Sequence, residues 1–258
     1  MNWTGLAALV WDPSGGDEPQ QDHDFIKRMI EQNDGPALDV GCGTGRLLLR
    51  YLAAGLDVDG IDTSADMLAI CRQKAEERGL PQPRLYQQGM QALDLPRRYQ
   101  TIYIPCGSFV LLTDRTDAWE ALRRFYNHLE PGGTLVFNVF WPFTPGEPLS
   151  DNPNGGDGEW GPLFDHTLPD GRVMKQHVKR EKIDRVEQLL LAKRRYQLYE
   201  NGQLVAEEVF DSNERWYFKQ EMILMLEKIG FGDVEVKGNW SDEAFAEPHY
   251  SMVFVARK

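Results

Sequence analysis

Hydrophobic positions follow two alternating spacings along the first half of the chain. Between Gln20 and Asn33 the apolar Phe25, Ile26, Met29 and Ile30 share one helical face, and Asp34-Gly35-Pro36 then breaks the helix. Ala37 to Val40 is a short apolar run that enters Gly41-Cys42-Gly43-Thr44-Gly45 and continues into the apolar Leu47-Leu48-Leu49. The alternation goes on with a helix near Thr44 to Ala54, a strand near Val58 to Ile61, a helix near Ser64 to Arg78 and a strand near Arg84 to Gln88. A fourth strand from Thr101 to Pro105, a helix near Thr116 to Leu129, a turn from Leu129 to Gly133 and a fifth strand from Thr134 to Val139 follow. Strands separated by helices pair in parallel, as βαβ units. The predicted class is α/β, a doubly wound and mostly parallel sheet.

After the fifth strand the pattern changes. From Pro142 to Pro162 Gly, Pro, Asn and Asp dominate, which predicts an irregular loop. Arg172 to Glu181, Ile183 to Tyr199 and Leu204 to Trp216 are then rich in Val, Leu, Tyr and Phe, with Asn201-Gly202 between the last two, a strong hairpin signal. An antiparallel sheet inserted after strand five is predicted there. Helical spacing returns from Lys219 to Ile229, stopped by Gly230, and two strands near Val234 to Val236 and Met252 to Ala256 close the chain. Three parts result: an arm and helix over residues 1–34, a core over 35–141 and 217–258, and an insert over 142–216.

The glycine loop carries the clearest chemistry. Glycines let a backbone approach a ligand closely, and the helix that follows offers unpaired N–H groups. A dinucleotide loop of the Gly-x-Gly-x-x-Gly type needs its third glycine at position 46, where this chain has Arg46; here the third glycine is Gly45. A second feature is Asp62, which ends the strand Val58 to Ile61. In doubly wound folds an acid at the end of strand two accepts hydrogen bonds from ribose hydroxyls. Asp62, Thr63 and Ser64 also stand where a helix N-cap is needed, and both roles can hold together.

Asp39 followed by Gly41-Cys42-Gly43-Thr44-Gly45, with Asp62 beyond it and the Leu129-to-Gly133 turn, resembles the class I S-adenosylmethionine (SAM)-dependent methyltransferases. The insert after strand five is similar to that of glycine/sarcosine and amino-sugar N-methyltransferases. The resemblance covers about Ala37 to Val139 and Lys219 to Lys258. It implies a seven-stranded sheet in the order 3-2-1-4-5-7-6, with strand seven antiparallel and SAM across the carboxyl ends of strands one and two. It assigns to the cofactor Asp39, Gly41, Cys42, Gly43, Gly45, Asp62, Thr63, Met67, Gly89, Met90, Pro105, Cys106 and Ser108. Many relatives carry an acid where this chain has Gly89, so recognition of the adenine amine falls to Gln88, Asp94 or the backbone. The aromatics Trp11, Phe109, Trp141, Phe143 and Trp160 are the expected walls of an acceptor site, His166 and His249 the histidines that could face it, and Pro142 to Pro162 a lid above it.

The resemblance implies methyl transfer from SAM to a small molecule, with nitrogen preferred over oxygen or carbon. A sulfonium donor is already activated, so proximity and orientation are the main demands and no catalytic triad is required. Transfer runs in line, without a covalent enzyme intermediate, so Cys106 is not read as a nucleophile. The chain lacks the Asp/Asn-Pro-Pro-aromatic motif of DNA amine methyltransferases after strand four, and its net charge of -12 argues against a phosphate-backbone partner. An RNA methyltransferase and a non-catalytic SAM-binding module are the alternatives. The three cysteines form no metal or disulfide pattern, and no metal is expected. With no signal-like or membrane-length apolar run, a cytoplasmic monomer or homodimer is expected. The basic residues Lys175, Lys179, Arg180, Lys182, Arg185, Lys193, Arg194 and Arg195 cluster in the insert, either as a solvated face or as an attraction for an anionic acceptor.

Overall fold

The computed structural model describes residues 3–12, 21–140 and 158–258. Trp141, Phe143 and nearly all of the expected lid lie outside them.

The parallel strands are β1 (Ala37–Val40), β2 (Val58–Asp62), β3 (Leu85–Gln87), β4 (Tyr99–Ile104) and β5 (Leu129–Phe140). With β11 (Gly232–Gly238) and β12 (Ser251–Arg257) they form a seven-stranded sheet in the order β11-β12-β5-β4-β1-β2-β3. Only β12 runs against its neighbours, pairing antiparallel with both β5 and β11. This is the order expected from the resemblance. Helices α2 (Gln21–Asn33), α3 (Leu48–Ala53), α4 (Ala65–Glu77), α5 (Arg115–His128) and α6 (Lys219–Ile229) cover the sheet. One apolar cluster joins Leu38, Ile102, Ile104, Leu135 and Phe137 to Leu122, Phe125 and Leu226, and a second joins Ile26, Ile30, Leu48, Tyr51 and Leu68 to Tyr103 and Val136. Burial on both sides explains why the central strands read as continuous apolar runs.

The insert is a second, antiparallel sheet. Its strands are β6 (Gly161–Thr167), β7 (Val173–Asp184), β8 (Leu189–Glu200), β9 (Gln203–Asp211) and β10 (Glu214–Arg215). Asn201 and Gly202 both take positive φ, 50° and 78°, as the predicted hairpin requires. Three expectations need correction. The inserted sheet begins at Gly161, before the expected Arg172, because β6 takes its order from pairing with β7 despite its Pro162, Asp165 and His166. Leu129 to Gly133 form no free turn: Leu129 pairs with Tyr99 and the Gly132 N–H donates to the Lys258 carbonyl, so the segment is drawn into β5. The arm contains a short helix, α1 (Leu6–Trp11), too short to show a period in the sequence. Among the described residues no helix is long and apolar enough to cross a membrane.

Helix α1 joins the two sheets. Leu6, Ala7 and Val10 pack on Met174, Tyr196 and Leu198 of the insert, and the Leu6 N–H donates to Glu208 at 2.9 Å. On the other side Asp12 accepts from the Thr44 hydroxyl at 2.5 Å and pairs with Lys74 at 3.0 Å, while the Ser64 hydroxyl donates to the Trp3 carbonyl at 2.5 Å.

Candidate active site

A cleft opens at the carboxyl ends of β1, β2 and β4, where the reversal of strand order leaves room between the connections. It is a half-open cleft whose empty space, about 560 Å³, runs on into solvent. Among the described residues its walls are Trp3, Trp11, Gly41, Gly43, Ile61, Asp62, Thr63, Met67, Gln88, Met90, Ser108 and Leu111.

The glycine loop is anchored from behind. The N–H groups of Gly41 and Cys42 both donate to the Ile61 carbonyl, at 2.8 and 2.9 Å. Gly43, at φ +53°, turns its Cα toward the arm: a Cβ there would lie 3.8 Å from Trp11 Nε1, so the glycine borders the gap between loop and arm. Gly45 serves a different end. A Cβ on it would come within 2.6 Å of Cys71 Sγ and 2.7 Å of Leu49, so Gly45 permits close packing of α3 and α4 behind the loop. Cys42 is buried beside Gly60, and burial pushes its thiol pKa well up. Cys42 and Gly45 therefore shape the loop from beneath, and neither is among the cleft walls.

Asp62 ends β2 on the cleft wall. Its carboxylate accepts from the Gly43 N–H at 2.9 Å and from the Ser64 N–H at 2.8 Å, tying the two connections together. Burial raises its pKa, opposed by those backbone donors. Ser64 caps α4 by accepting from the Met67 N–H at 3.2 Å, which leaves Asp62 beside the space. Asp39 sits two residues before the loop and is 1 % exposed; its Oδ1 has no hydrogen-bond partner among the described residues. Desolvation lifts its carboxyl to about 7, against the lowering influence of the Arg46 charge. Arg46 itself is held by Asp22 of α2, Nη1 to Oδ1 at 2.9 Å with a second contact from Nη2 to Oδ2, and Nη2 donates to Cys106 Sγ at 3.1 Å. Burial pushes the Cys106 thiol up, which keeps it protonated and unsuited to attack.

The other assignments separate. Thr63, Met67, Met90, Ser108 and Trp11 lie on the cleft. Gly89 precedes the short 3₁₀ turn Met90–Ala92, and Gln88, its neighbour, is the wall residue. The Gln88 amide is committed to the backbone of Asp94, accepting at 2.9 Å and donating at 3.1 Å. Pro105 is off the wall and offers its carbonyl to the Ser108 hydroxyl at 3.0 Å. Phe109 is corrected outright: the 3₁₀ turn Ser108–Leu111 rotates it into the core, fully buried against Phe137 and Tyr217. Trp160 lies under the Arg195 guanidinium, 4.6 Å from ring centre, on the sheet face turned away from α1. His249 is a structural group, its Nδ1 accepting from the Ala246 N–H at 3.0 Å and its Nε2 facing Glu243 at 3.5 Å. His166 is on β6 near Phe164, off the cleft, with Nε2 buried and no hydrogen-bond partner among the described residues. Ile61 and Leu111 were not selected from the sequence, whereas Trp3 is one of the aromatics that the sequence concentrates in the arm.

The fold and cleft define a Rossmann-like methyltransferase architecture. Residues 37–133 match the family model described as a methyltransferase domain. The chain is 34 % identical over 114 residues to a putative methyltransferase of Geobacillus sp. (strain WCH70), covering 44 % of this chain and 46 % of that protein. It is 37 % identical over 113 residues to the dTDP-3-amino-3,6-dideoxy-alpha-D-glucopyranose N,N-dimethyltransferase of Streptomyces fradiae, covering 42 % of each. The matched segment spans under half the length of these curated relatives. A solved SAM-dependent methyltransferase from Clostridium acetobutylicum superposes with a TM-score of 0.77 over 98 % of this chain and 97 % of that one, at 18 % identity, and shares its fold.

The cleft suits a sulfonium nucleoside. The Gly43 cradle opens toward Trp11, and the Asp62 carboxylate stands at the end of β2 on the cleft wall.

Proposed function

We propose that this protein is a methyltransferase that uses SAM to methylate a small-molecule acceptor, an amine nitrogen in preference to oxygen or carbon. The observation that carries this reading is the cleft itself, which brings the Gly41–Gly45 loop and Asp62 under two tryptophans of the arm. Trp3 and Trp11 meet edge to face, with ring centres 4.6 Å apart, and form an apolar wall of the cleft. SAM, when bound, supplies an activated methyl group. The protein's own part is to hold the nucleoside hydroxyls through Asp62, to wall the cleft through the arm and to orient the acceptor. The preference for nitrogen draws on relatives named as amino-sugar N,N-dimethyltransferases and on the inserted sheet.

Calorimetry is expected to show binding of SAM and S-adenosylhomocysteine, with affinity for NAD at least a hundredfold weaker. A panel of amino sugars, amino acids, phenols and catechols then identifies the acceptor by release of S-adenosylhomocysteine. Equal affinity for NAD rejects the assignment, and cofactor binding without turnover on any acceptor favours a non-catalytic SAM-binding module.

A further inference from the structure

The turn after β4 carries a backbone anomaly beside the cleft. Cys106 takes φ +57°, a left-handed conformation that residues with a Cβ rarely adopt, and Gly107 follows at φ +68°. The Ser108 N–H closes the turn on the Pro105 carbonyl at 3.2 Å. Gly107 fits this conformation at no cost. Cys106 does not, and such a residue stays left-handed only where its surroundings hold it there.

Two buried side chains do so from opposite sides. Arg46, itself locked by Asp22, donates to Cys106 Sγ at 3.1 Å. Asn138 Oδ1 accepts from the Gly107 N–H at 2.8 Å, and Asn138 Nδ2 donates to the Ser251 hydroxyl on β12 at 3.0 Å. Asn138 is 1 % exposed and stands on β5 between the fully buried Phe137 and Val139, where an apolar residue would continue the core. A buried amide is tolerated where its polar atoms are paired, and here both ends are. Strand pairing does not need it, because β5 and β12 are already joined along their backbones, with Asn138 opposite Val253. The amide serves the turn.

The turn in its place sets two walls of the cleft. The 3₁₀ turn Ser108–Leu111 starts from Gly107, and Ser108 and Leu111 both line the cleft. The Ser108 hydroxyl comes so near the glycine loop that a Cβ on Gly41 would lie 3.2 Å from it. The gap between loop and turn is therefore fixed by where the Gly107 N–H is held. Release of Cys106 and Gly107 to negative φ moves Ser108 off Gly41 and reshapes this end of the cleft.

We propose that Asn138 is a positioning residue for the cofactor. Without lining the cleft itself, it holds the Cys106–Gly107 turn left-handed and so sets Ser108 against Gly41 at the width that bound SAM requires. The proposal rests on the methyltransferase reading above and adds a residue of β5 to that site.

The test measures SAM and S-adenosylhomocysteine binding by calorimetry, with urea midpoints alongside, for the parent and a short series of variants. Asn138→Val removes both bonds, strands the Gly107 N–H and weakens both ligands at least tenfold. Asn138→Asp, whose carboxyl accepts from the Gly107 N–H and meets the Ser251 hydroxyl, binds within threefold of the parent. Asparagine adopts positive φ more readily than cysteine, so adding Cys106→Asn to Asn138→Val restores the turn without its anchor and recovers at least threefold in affinity. Should Asn138→Val not fold, Asn138→Ser, too short to reach Gly107, is read by the same criteria. A purely structural Asn138 lowers the urea midpoint and leaves both affinities parent-like. That result, or no recovery in the double variant, overturns the proposal while the methyltransferase reading stands. Failure of the parent itself to bind either ligand overturns both.

Discussion

The two sheets meet the cleft with different chemistry. From the seven-stranded sheet the cleft receives mainly backbone: the loop at Gly41–Gly45 hung on the Ile61 carbonyl, and one carboxylate, Asp62, bonded to two N–H groups. From the inserted sheet it is approached by side chains, Arg194 against Trp3 and Glu214 on the strand that packs on the Ser108–Leu111 turn. Backbone sites are set by where strands end and glycines fall, so they tolerate wide change in the surrounding side chains. Side-chain sites depend on register, and a one-residue slip would turn Arg194 outward and Lys193 or Arg195 inward.

The strongest perturbation of the backbone half is expected at the ion pair behind it. Arg46 and Asp22 are 6 % and 3 % exposed at their side chains, and removing one partner strands the other charge. Arg46→Met should cost about 3–5 kcal/mol of stability in urea denaturation, and Arg46→Met with Asp22→Leu should recover much of it. Parent-like stability of the single variant would show that α2 is not tied to the loop through this pair.

The glycines come next, because two positions in one loop should fail differently. Gly45→Ala drives a Cβ into Cys71 and Leu49 at a φ of +87°, and should cost about 2–4 kcal/mol of stability. Gly43→Val meets only Trp11 Nε1, at 3.8 Å, so at its φ of +53° it should cost backbone strain of about 1–3 kcal/mol without a packing clash, while abolishing binding of S-adenosylhomocysteine. Calorimetry beside thermal unfolding separates the two, and an unfolded Gly43→Val would remove the contrast.

A further effect concerns pH. Asp39 is raised from 3.8 to about 7 in the folded protein, so the native state holds a proton that the unfolded chain gives up. Its contribution is present below about pH 4 and is lost as pH rises to about 7, by at most about 1.4 kcal/mol per unit. Asp39→Asn should flatten the pH dependence of the urea midpoint across that window, and an unchanged slope would assign the dependence to other groups.

Asp62→Ala should have the smallest of these effects, weakening S-adenosylhomocysteine by about 1–3 kcal/mol, the loss of a charge-assisted hydrogen bond. Unchanged affinity would leave Asp62 only as the tie between Gly43 and Ser64.

Much of the first sheet was legible because its signals are local. Apolar runs four to six residues long, helices with three- and four-residue spacing, and glycines at strand ends are all read within about a dozen residues. The resemblance at the glycine loop then supplied the strand order, which the structure reproduces. Local reading failed where the determinant was distant. Phe109 follows strand β4 as a cleft residue should, yet a 3₁₀ turn carries it onto Phe137 and Tyr217. Gly45 belongs to the motif but answers to Cys71, which is 26 positions away on α4. Helix α1 spans only Leu6–Trp11, and its place is set by Met174, Tyr196 and Leu198 of the insert.

The sequence by itself determined the βαβ core, the glycine loop, the acid at the end of β2 and the hairpin at Asn201-Gly202, because each depends on backbone conformations that a few neighbouring residues impose. Only the tertiary structure decided that the arm closes over that loop and that, of the eight basic residues in the insert, Arg194 faces inward while Lys193 and Arg195 beside it face out. The physical reason is that the face of a strand residue alternates with every step, so which side is inner is settled by what packs against the sheet, and here that is a helix more than 150 residues earlier in the chain.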